Sequence, residues 1–212
     1  MTTTNVYVYL FDDYENLDKN FINDNINKLP EFRREKCVRY RLDIDKKNCI
    51  ITYLLLKHGL NEIYGISSDL EFVLNENGKP FLKDHPFVYF NFSHCKYGAV
   101  CVIAEAEVGV DIEGIERYKE NIAQRVCSDN ELKQLEIAND PVKLFFRIWT
   151  EKESYAKAKG LGISSVLKKD LQKDGFWYYE NELYYLTVFC ENAEIELFHN
   201  TLLFTPDEDS YL

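Results

Sequence analysis

Val108-Gly109-Val110-Asp111-Ile112-Glu113 and Trp149-Thr150-Glu151-Lys152-Glu153-Ser154-Tyr155-Ala156-Lys157 are the two stretches around which the rest of the chain can be arranged. In the first, Val108, Val110 and Ile112 alternate with Gly109, Asp111 and Glu113, the period of a half-buried strand. Asp111 and Glu113 then share one side, about 7 Å apart along the strand. Taken alone, the pattern also suits a strand with a wet acidic face. The second stretch belongs to a helix expected from Val142 to Lys159. At about 100° per residue, Leu144, Phe145, Ile148, Trp149, Tyr155 and Ala156 fall on one apolar arc. Arg147, Thr150, Glu151, Ser154 and Ala158 take the opposite side. Lys152 lies near the middle of the arc, and Glu153 and Lys157 lie on its margin with Phe146. A lysine inside a core-facing arc either snorkels out or meets an anion. Carboxylates and lysines where a core helix meets a cleft point to a metal and a phosphate. Three carboxylates, Asp111, Glu113 and Glu153, suit magnesium, which prefers oxygen ligands and phosphate company.

The chain has 212 residues, 46% of them hydrophobic, enough for one sizeable core or two halves. Its aromatics (Tyr 15, Phe 14, Trp 2) exclude wholesale disorder. No apolar run is long enough to span a membrane. Met1-Thr2-Thr3-Thr4-Asn5 has no basic region followed by an apolar one, so no secretory leader is expected. The cysteines at 37, 49, 95, 101, 127 and 190 form no C-x-x-C pair, which disfavours zinc and thioredoxin-like chemistry. Reduced thiols in the cytoplasm are the simplest expectation. A net charge of −11 argues against general nucleic-acid binding. Against that background, Arg33, Arg34, Lys36, Arg39, Arg41, Lys46 and Lys47 form a basic island. It reads either as a local anion site or as a solvated helix face.

In chain order, Val6–Phe11 reads as a strand. A helix opens near Pro30, breaks near Leu42 and runs to a cap at Gly59, with a short helix over Asn61–Gly65. Leu70–Leu74 reads as a strand, and Asn75-Glu76-Asn77-Gly78-Lys79-Pro80 as a turn that offers Lys79 to a ligand. Phe87–Phe92 and Gly98–Ala104 pair, joined by Ser93-His94-Cys95-Lys96-Tyr97. His94 is a plain turn residue or a phosphate donor. Short helices are expected over Asn121–Cys127 and Asp129–Ala138. A hairpin is expected over Phe176–Tyr179 and Leu183–Phe189, a strand over Glu194–Phe198, and an acidic end at Thr205–Asp209. The polar break Glu105-Ala106-Glu107 divides the chain into halves at 1–105 and 106–212.

The ordered set Gly78-Lys79-Pro80, Asn91-Phe92-Ser93-His94, Gly109-Val110-Asp111-Ile112-Glu113 and Trp149-Thr150-Glu151-Lys152-Glu153-Ser154, preceded by Pro30-Glu31-Phe32-Arg33-Arg34-Glu35-Lys36-Cys37, resembles the surfactin-type phosphopantetheinyl transferases. The length suits that family's pseudodimeric branch: α+β, with two similar α+β halves in one chain and the active site at their interface. The resemblance implies transfer of the 4′-phosphopantetheine arm of coenzyme A to a serine of an apo acyl or peptidyl carrier protein. Adenosine 3′,5′-bisphosphate is the other product. It further implies that Asp111, Glu113 and Glu153 bind magnesium and that Glu153 and Lys157 are catalytic. The coenzyme A contacts it implies are Arg33, Lys36, Lys79, Pro80, Ser93, His94, Asp111, Lys152 and Lys157. The chain departs from the family pattern at Arg33, where a lysine is common, and at Asn48-Cys49, where relatives hold a basic and a hydroxyl residue. A monomer without membrane or nucleic-acid partners is expected, with an apolar carrier-docking surface around Ile115–Cys127. Two other readings of the same carboxylates are a magnesium-dependent phosphohydrolase and a non-catalytic module that binds coenzyme A or carriers.

Overall fold

The alternation in β1 (Thr4–Phe11) gives it two apolar faces, and both are used. The computed structural model describes residues 3–76, 78–116 and 119–200. The acidic end Thr205–Asp209 lies outside them. In the first sheet β1 runs antiparallel to β5 (Ala99–Ala104) and parallel to β9 (Ala193–His199). β5 also pairs antiparallel with β4 (Tyr89–His94), giving the order β4-β5-β1-β9. Tyr9 and Phe11 face α3 (Asp43–Tyr64), which packs on this sheet together with α1 (Phe21–Asn25) and α2 (Glu31–Arg39). Val6, Val8 and Leu10 face a second sheet, of order β6-β8-β7, built from β6 (Gly109–Gly114), β7 (Phe176–Glu180) and β8 (Tyr184–Phe189). Val110, Ile112, Leu186 and Val188 complete that inter-sheet core. The far face of the second sheet carries α6 (Pro141–Ala158). Next to α6 lie α4 (Glu120–Val126) and α5 (Asp129–Ile137), with Phe145 and Ile148 of α6 in a third cluster. A small hairpin, β2 (Phe72–Leu74) and β3 (Pro80–Leu82), stands beside the first sheet. The architecture is α+β, with two main sheets packed face to face, the first of which takes its edge strand β9 from the C-terminal end of the described chain. No helix among the described residues is long and apolar enough to cross a membrane.

Three expectations are corrected. Gly59 does not cap a helix: α3 runs through it and ends at Gly65, in the left-handed conformation. A Cβ at Gly59 would stand 2.5 Å from the Tyr9 ring, so glycine is needed there for close approach to the sheet. The acidic side of β6 is not open to bulk solvent: Gly109–Ile112 are buried between the inter-sheet core and α6, and only Glu113 and Gly114 at its end are half-buried. Finally, the side of α6 read as polar is buried: Thr150, Glu151, Ser154 and Ala158 are all sequestered. Part of that side packs on the sheet. Thr150 Oγ1 and Thr187 Oγ1 are 2.7 Å apart, and a Cβ on Gly109 would stand 2.0 Å from the Ser154 carbonyl oxygen. Small residues on the helix and a glycine on the strand let the two backbones nearly touch. Ser128 caps α5, forming a capping box with Glu131.

Candidate active site

A cleft of about 650 Å³ opens between the helices and hairpin of the first sheet and the β6–α6 pair. Its walls come from α2, α3, the β2–β3 hairpin, β4, β6 and the C-terminal end of α6. Arg33, Lys36, Lys79, Pro80, Ser93, His94, Asp111, Glu113, Glu153 and Lys157 all line it.

The close approach of β6 to α6 sets the centre of the site. Asp111 sits in the middle of β6 and is only 3% exposed. Its Oδ1 accepts from Lys157 Nζ at 2.6 Å and from Ser93 Oγ at 2.8 Å. Lys157 Nζ also donates to Ser93 Oγ at 3.1 Å and to the Val110 carbonyl at 3.2 Å. Asp111 Oδ2 is buried with no hydrogen-bond partner among the described residues. An orphaned carboxylate oxygen in a buried place is costly unless something cationic meets it. Two residues along β6, Glu113 accepts from the Trp149 indole N–H at 3.1 Å. Burial, then the charge of Asp111, pushes the Glu113 carboxyl up to about 7. Burial and then Asp111 also raise Glu153.

These properties suit a magnesium site. The donors are oxygens only, one of them is unsatisfied, and the carboxylates repel one another. Among the described residues they do not already stand gathered as a closed metal centre. Asp111, Glu113 and Glu153 fit magnesium by donor type and by the unsatisfied oxygen.

His94 lies in β4, in line with Ser93, rather than in the turn. Asn48 of α3 braces it. Asn48 Nδ2 donates to the Cys95 carbonyl at 3.0 Å and lies 3.5 Å from His94 Nδ1, while Asn48 Oδ1 accepts from Tyr14 Oη at 2.5 Å. The protein packed round the imidazole, and then the Lys157 ammonium, hold its pKa below the usual value. The sequence marked Asn48 only as a departure from the family pattern and gave no sign of Tyr14: a buried amide on an apolar helix was the signal for a brace, and its partner lies across the fold.

The basic island divides. Arg33 Nη2 donates to the Cys49 carbonyl at 2.8 Å and to Thr52 Oγ1 at 2.9 Å, and the guanidinium lies 4.7 Å from the Phe92 ring centroid. Its Nε is buried without a partner among the described residues. Lys36, exposed, lines the cleft beside it. Arg34, Arg39, Arg41, Lys46 and Lys47 do not line it.

Two sequence-implied contacts take other roles. Lys152 is fully buried and does not line the cleft; its Nζ meets Glu131 Oε2 at 3.0 Å and the Lys169 carbonyl at 2.5 Å. The anion it needed is a carboxylate of α5, because its place on the helix faces α5 rather than the sheet. Lys79 does line the cleft, but its ammonium bonds to carbonyls at the end of α6. Of the expected docking segment, Arg117 and Tyr118 lie outside the described residues. Val126 is buried, and Ile122, 41% exposed, lines a groove with Phe145, Phe146 and Trp149 beside Glu113.

The geometry agrees with the comparisons. A sequence model of the 4′-phosphopantetheinyl transferase superfamily matches residues 107–202. The 4′-phosphopantetheinyl transferase gsp of Aneurinibacillus migulanus is 32% identical over 182 residues, 78% of this chain and 75% of that one. The enzyme ffp of Bacillus subtilis is 29% identical over 170 residues, 77% and 76% of the two chains. Sfp of Bacillus subtilis strain 168 is 32% identical over 139 residues, 64% and 62%. With the carboxylates, Ser93, His94 and Lys157 assembled in one cleft, the chain belongs to the surfactin-type 4′-phosphopantetheinyl transferases.

Proposed function

We propose that the cleft binds coenzyme A and that the protein transfers its 4′-phosphopantetheine arm to a serine of an apo acyl or peptidyl carrier protein. This is a reaction of the holo-[acyl-carrier-protein] synthase type. The observation that carries the reading is the meeting of three carboxylates and Lys157 with Arg33 and Lys36 in one cleft. One group suits a reacting diphosphate, the other a remote phosphate.

In this reading the carrier serine oxygen attacks the β-phosphorus of the diphosphate. The bond to the bridging oxygen breaks, and adenosine 3′,5′-bisphosphate leaves. Asp111, Glu113 and Glu153 would hold magnesium, which when bound neutralises charge on the diphosphate. Lys157 contributes a fixed positive charge beside Asp111, and Ser93 holds both in register. Glu153, made more basic by burial and by Asp111, takes the serine proton. His94, near neutral and braced by Asn48, donates to a phosphate oxygen. Residues 1–105 and 106–212 act as the nucleotide-side and metal-side halves of a monomer, each with a long helix on a sheet. Mass spectrometry of apo-carriers incubated with coenzyme A and magnesium tests the whole reading, and addition of the phosphopantetheine arm is the expected result. Hydrolysis of coenzyme A without an acceptor would mark a phosphohydrolase, and binding without turnover a non-catalytic module.

Arg33 and Lys36 lie one helical turn apart. Their place in the cleft is taken here as the seat of the 3′-phosphate, which distinguishes coenzyme A from its dephospho form. Arg33→Ala/Lys36→Ala is expected to raise KM for coenzyme A more than it lowers kcat. The preference for coenzyme A over dephospho-coenzyme A should fall by roughly 1.5–3 kcal/mol per charged hydrogen bond lost. Steady-state kinetics with both substrates decide it, and an unchanged ratio would leave Arg33 as a brace between α2 and α3 only.

The carrier meets the groove at Ile122, Phe146 and Trp149, next to Glu113. Carriers are usually acidic and this chain is itself net acidic, so apolar contact rather than charge holds them. Raising ionic strength is expected to change the carrier KM by less than about threefold. A steep loss of affinity with salt would contradict an apolar surface.

A further inference from the structure

The turn between β2 and β3 sits on the end of α6. The turn closes on itself: Lys79 N–H donates to Asn75 Oδ1 at 2.8 Å, Asn75 N–H to the Lys79 carbonyl at 3.0 Å, and Gly78 N–H to the Asn75 carbonyl at 2.9 Å. These bonds fix where Lys79 starts. From there its Nζ donates to the carbonyl oxygens of Lys157 at 2.8 Å and of Ala158 at 3.1 Å. Both belong to the last turn of α6, where the Lys157 carbonyl also accepts the Gly160 N–H at 3.3 Å. A cation at that end also meets the negative pole of the helix. The same turn reaches the glycine that follows the helix, where a Cβ on Gly160 would lie 3.7 Å from Asn75 Nδ2. The hairpin therefore holds the helix at the residue that carries the Lys157 ammonium.

We infer that Lys79 is a positioning residue for Lys157: the hairpin clips the end of α6, fixing where Lys157 Nζ meets Asp111 and Ser93, and Lys79 does not itself take the substrate's phosphates. The inference rests on the reading of Lys157 as the charge that acts on the diphosphate. It also accounts for a lysine on a turn of the nucleotide-side half when that turn's ammonium is spent on main-chain carbonyls of the other half. A residue acting this way affects the chemical step through Lys157, whereas a direct phosphate contact affects coenzyme A binding whether or not Lys157 is present.

Lys79→Met keeps the aliphatic stem and deletes the ammonium. It is expected to lower kcat about tenfold while KM for coenzyme A stays within about twofold. On a Lys157→Met background the Lys79 change should add almost nothing, since nothing remains to be positioned. Lys79→Arg, which still donates to both carbonyls, should retain kcat within about threefold. A Lys79→Met enzyme with raised KM and unchanged kcat would overturn the inference. So would a Lys79 effect that multiplies in full on Lys157→Met, or a Lys79→Arg enzyme as impaired as Lys79→Met. Amide hydrogen exchange tests the clip apart from catalysis. Exchange at residues 157–161 should speed up in Lys79→Met, and unchanged protection there would overturn the clip itself. If Lys157→Met keeps wild-type kcat, it is the reading of Lys157 that fails, and the exchange result then stands separately.

Discussion

Asp111→Ala is expected to abolish phosphopantetheine transfer, by at least about a thousandfold in kcat/KM, while leaving the protein folded. One carboxylate serves two purposes. Its Oδ1 sets the positions of Lys157 and Ser93, and its Oδ2 is the orphaned oxygen that suits a cation. Alanine removes both together, so the losses fall on charge neutralisation and on alignment at once. The fold should survive because the Lys157 side chain left behind is 29% exposed and keeps its bonds to Ser93 and Val110. The check is transfer to an apo-carrier at saturating magnesium, with circular dichroism and thermal melting on the same sample. Full activity in this variant would reject the proposed site.

Lys152→Ala should instead strike stability. The Lys152 side chain is wholly buried and that of Glu131 is 5% exposed, and they meet at 3.0 Å. Glu131 Oε2 also accepts the Ser128 N–H at 2.7 Å, as the reciprocal half of the α5 capping box. Without the ammonium, a buried carboxylate loses its counter-charge at a cost of about 3–5 kcal/mol. Total stability for a protein is typically about 5–15 kcal/mol, so much of the margin goes. Lys152→Met/Glu131→Gln removes both charges and should recover most of the loss. Urea midpoints of wild type, Lys152→Ala and the double variant measure it. An unshifted midpoint for Lys152→Ala would show the pair to be energetically idle. Whatever protein remains folded should still transfer, since Lys152 does not line the cleft.

The pair also shows what the sequence could and could not carry. That Lys152 would either snorkel out or meet an anion follows from its position on an apolar arc. Which anion it meets depends on α5 folding against α6, which no local pattern encodes. The strand carrying Asp111 and the helix carrying Glu153 were legible from their periods, and so was the hairpin of β7 and β8. The orientation of α6 was not. A hydropathy arc ranks Thr150, Ser154 and Ala158 as outward, yet their small size is what lets Gly109 approach. Packing distance, rather than polarity, decided which face met the sheet. The same blindness applies to Gly59, where proximity to Tyr9 comes from a strand far away in sequence. At the site, the residue types were readable, but braces such as Asn48, Tyr14 and Trp149 reach across the fold and leave no spacing to read.

The parallel pairing of β9 with β1 bears on how a nascent chain can mature. β1 is made before every other described strand, and it already carries the apolar rows that face both cores. It gains β5 midway through synthesis, but one edge stays bare until β9 is made. For that interval Val6, Val8 and Leu10 belong to an unpaired edge strand, which invites pairing with other chains. Closing a parallel ladder over nearly the whole length of the described chain is also intrinsically slow. A fragment ending after β8 would keep every residue of the cleft named above, but its open edge would make it a poorly soluble fragment rather than a minimal enzyme.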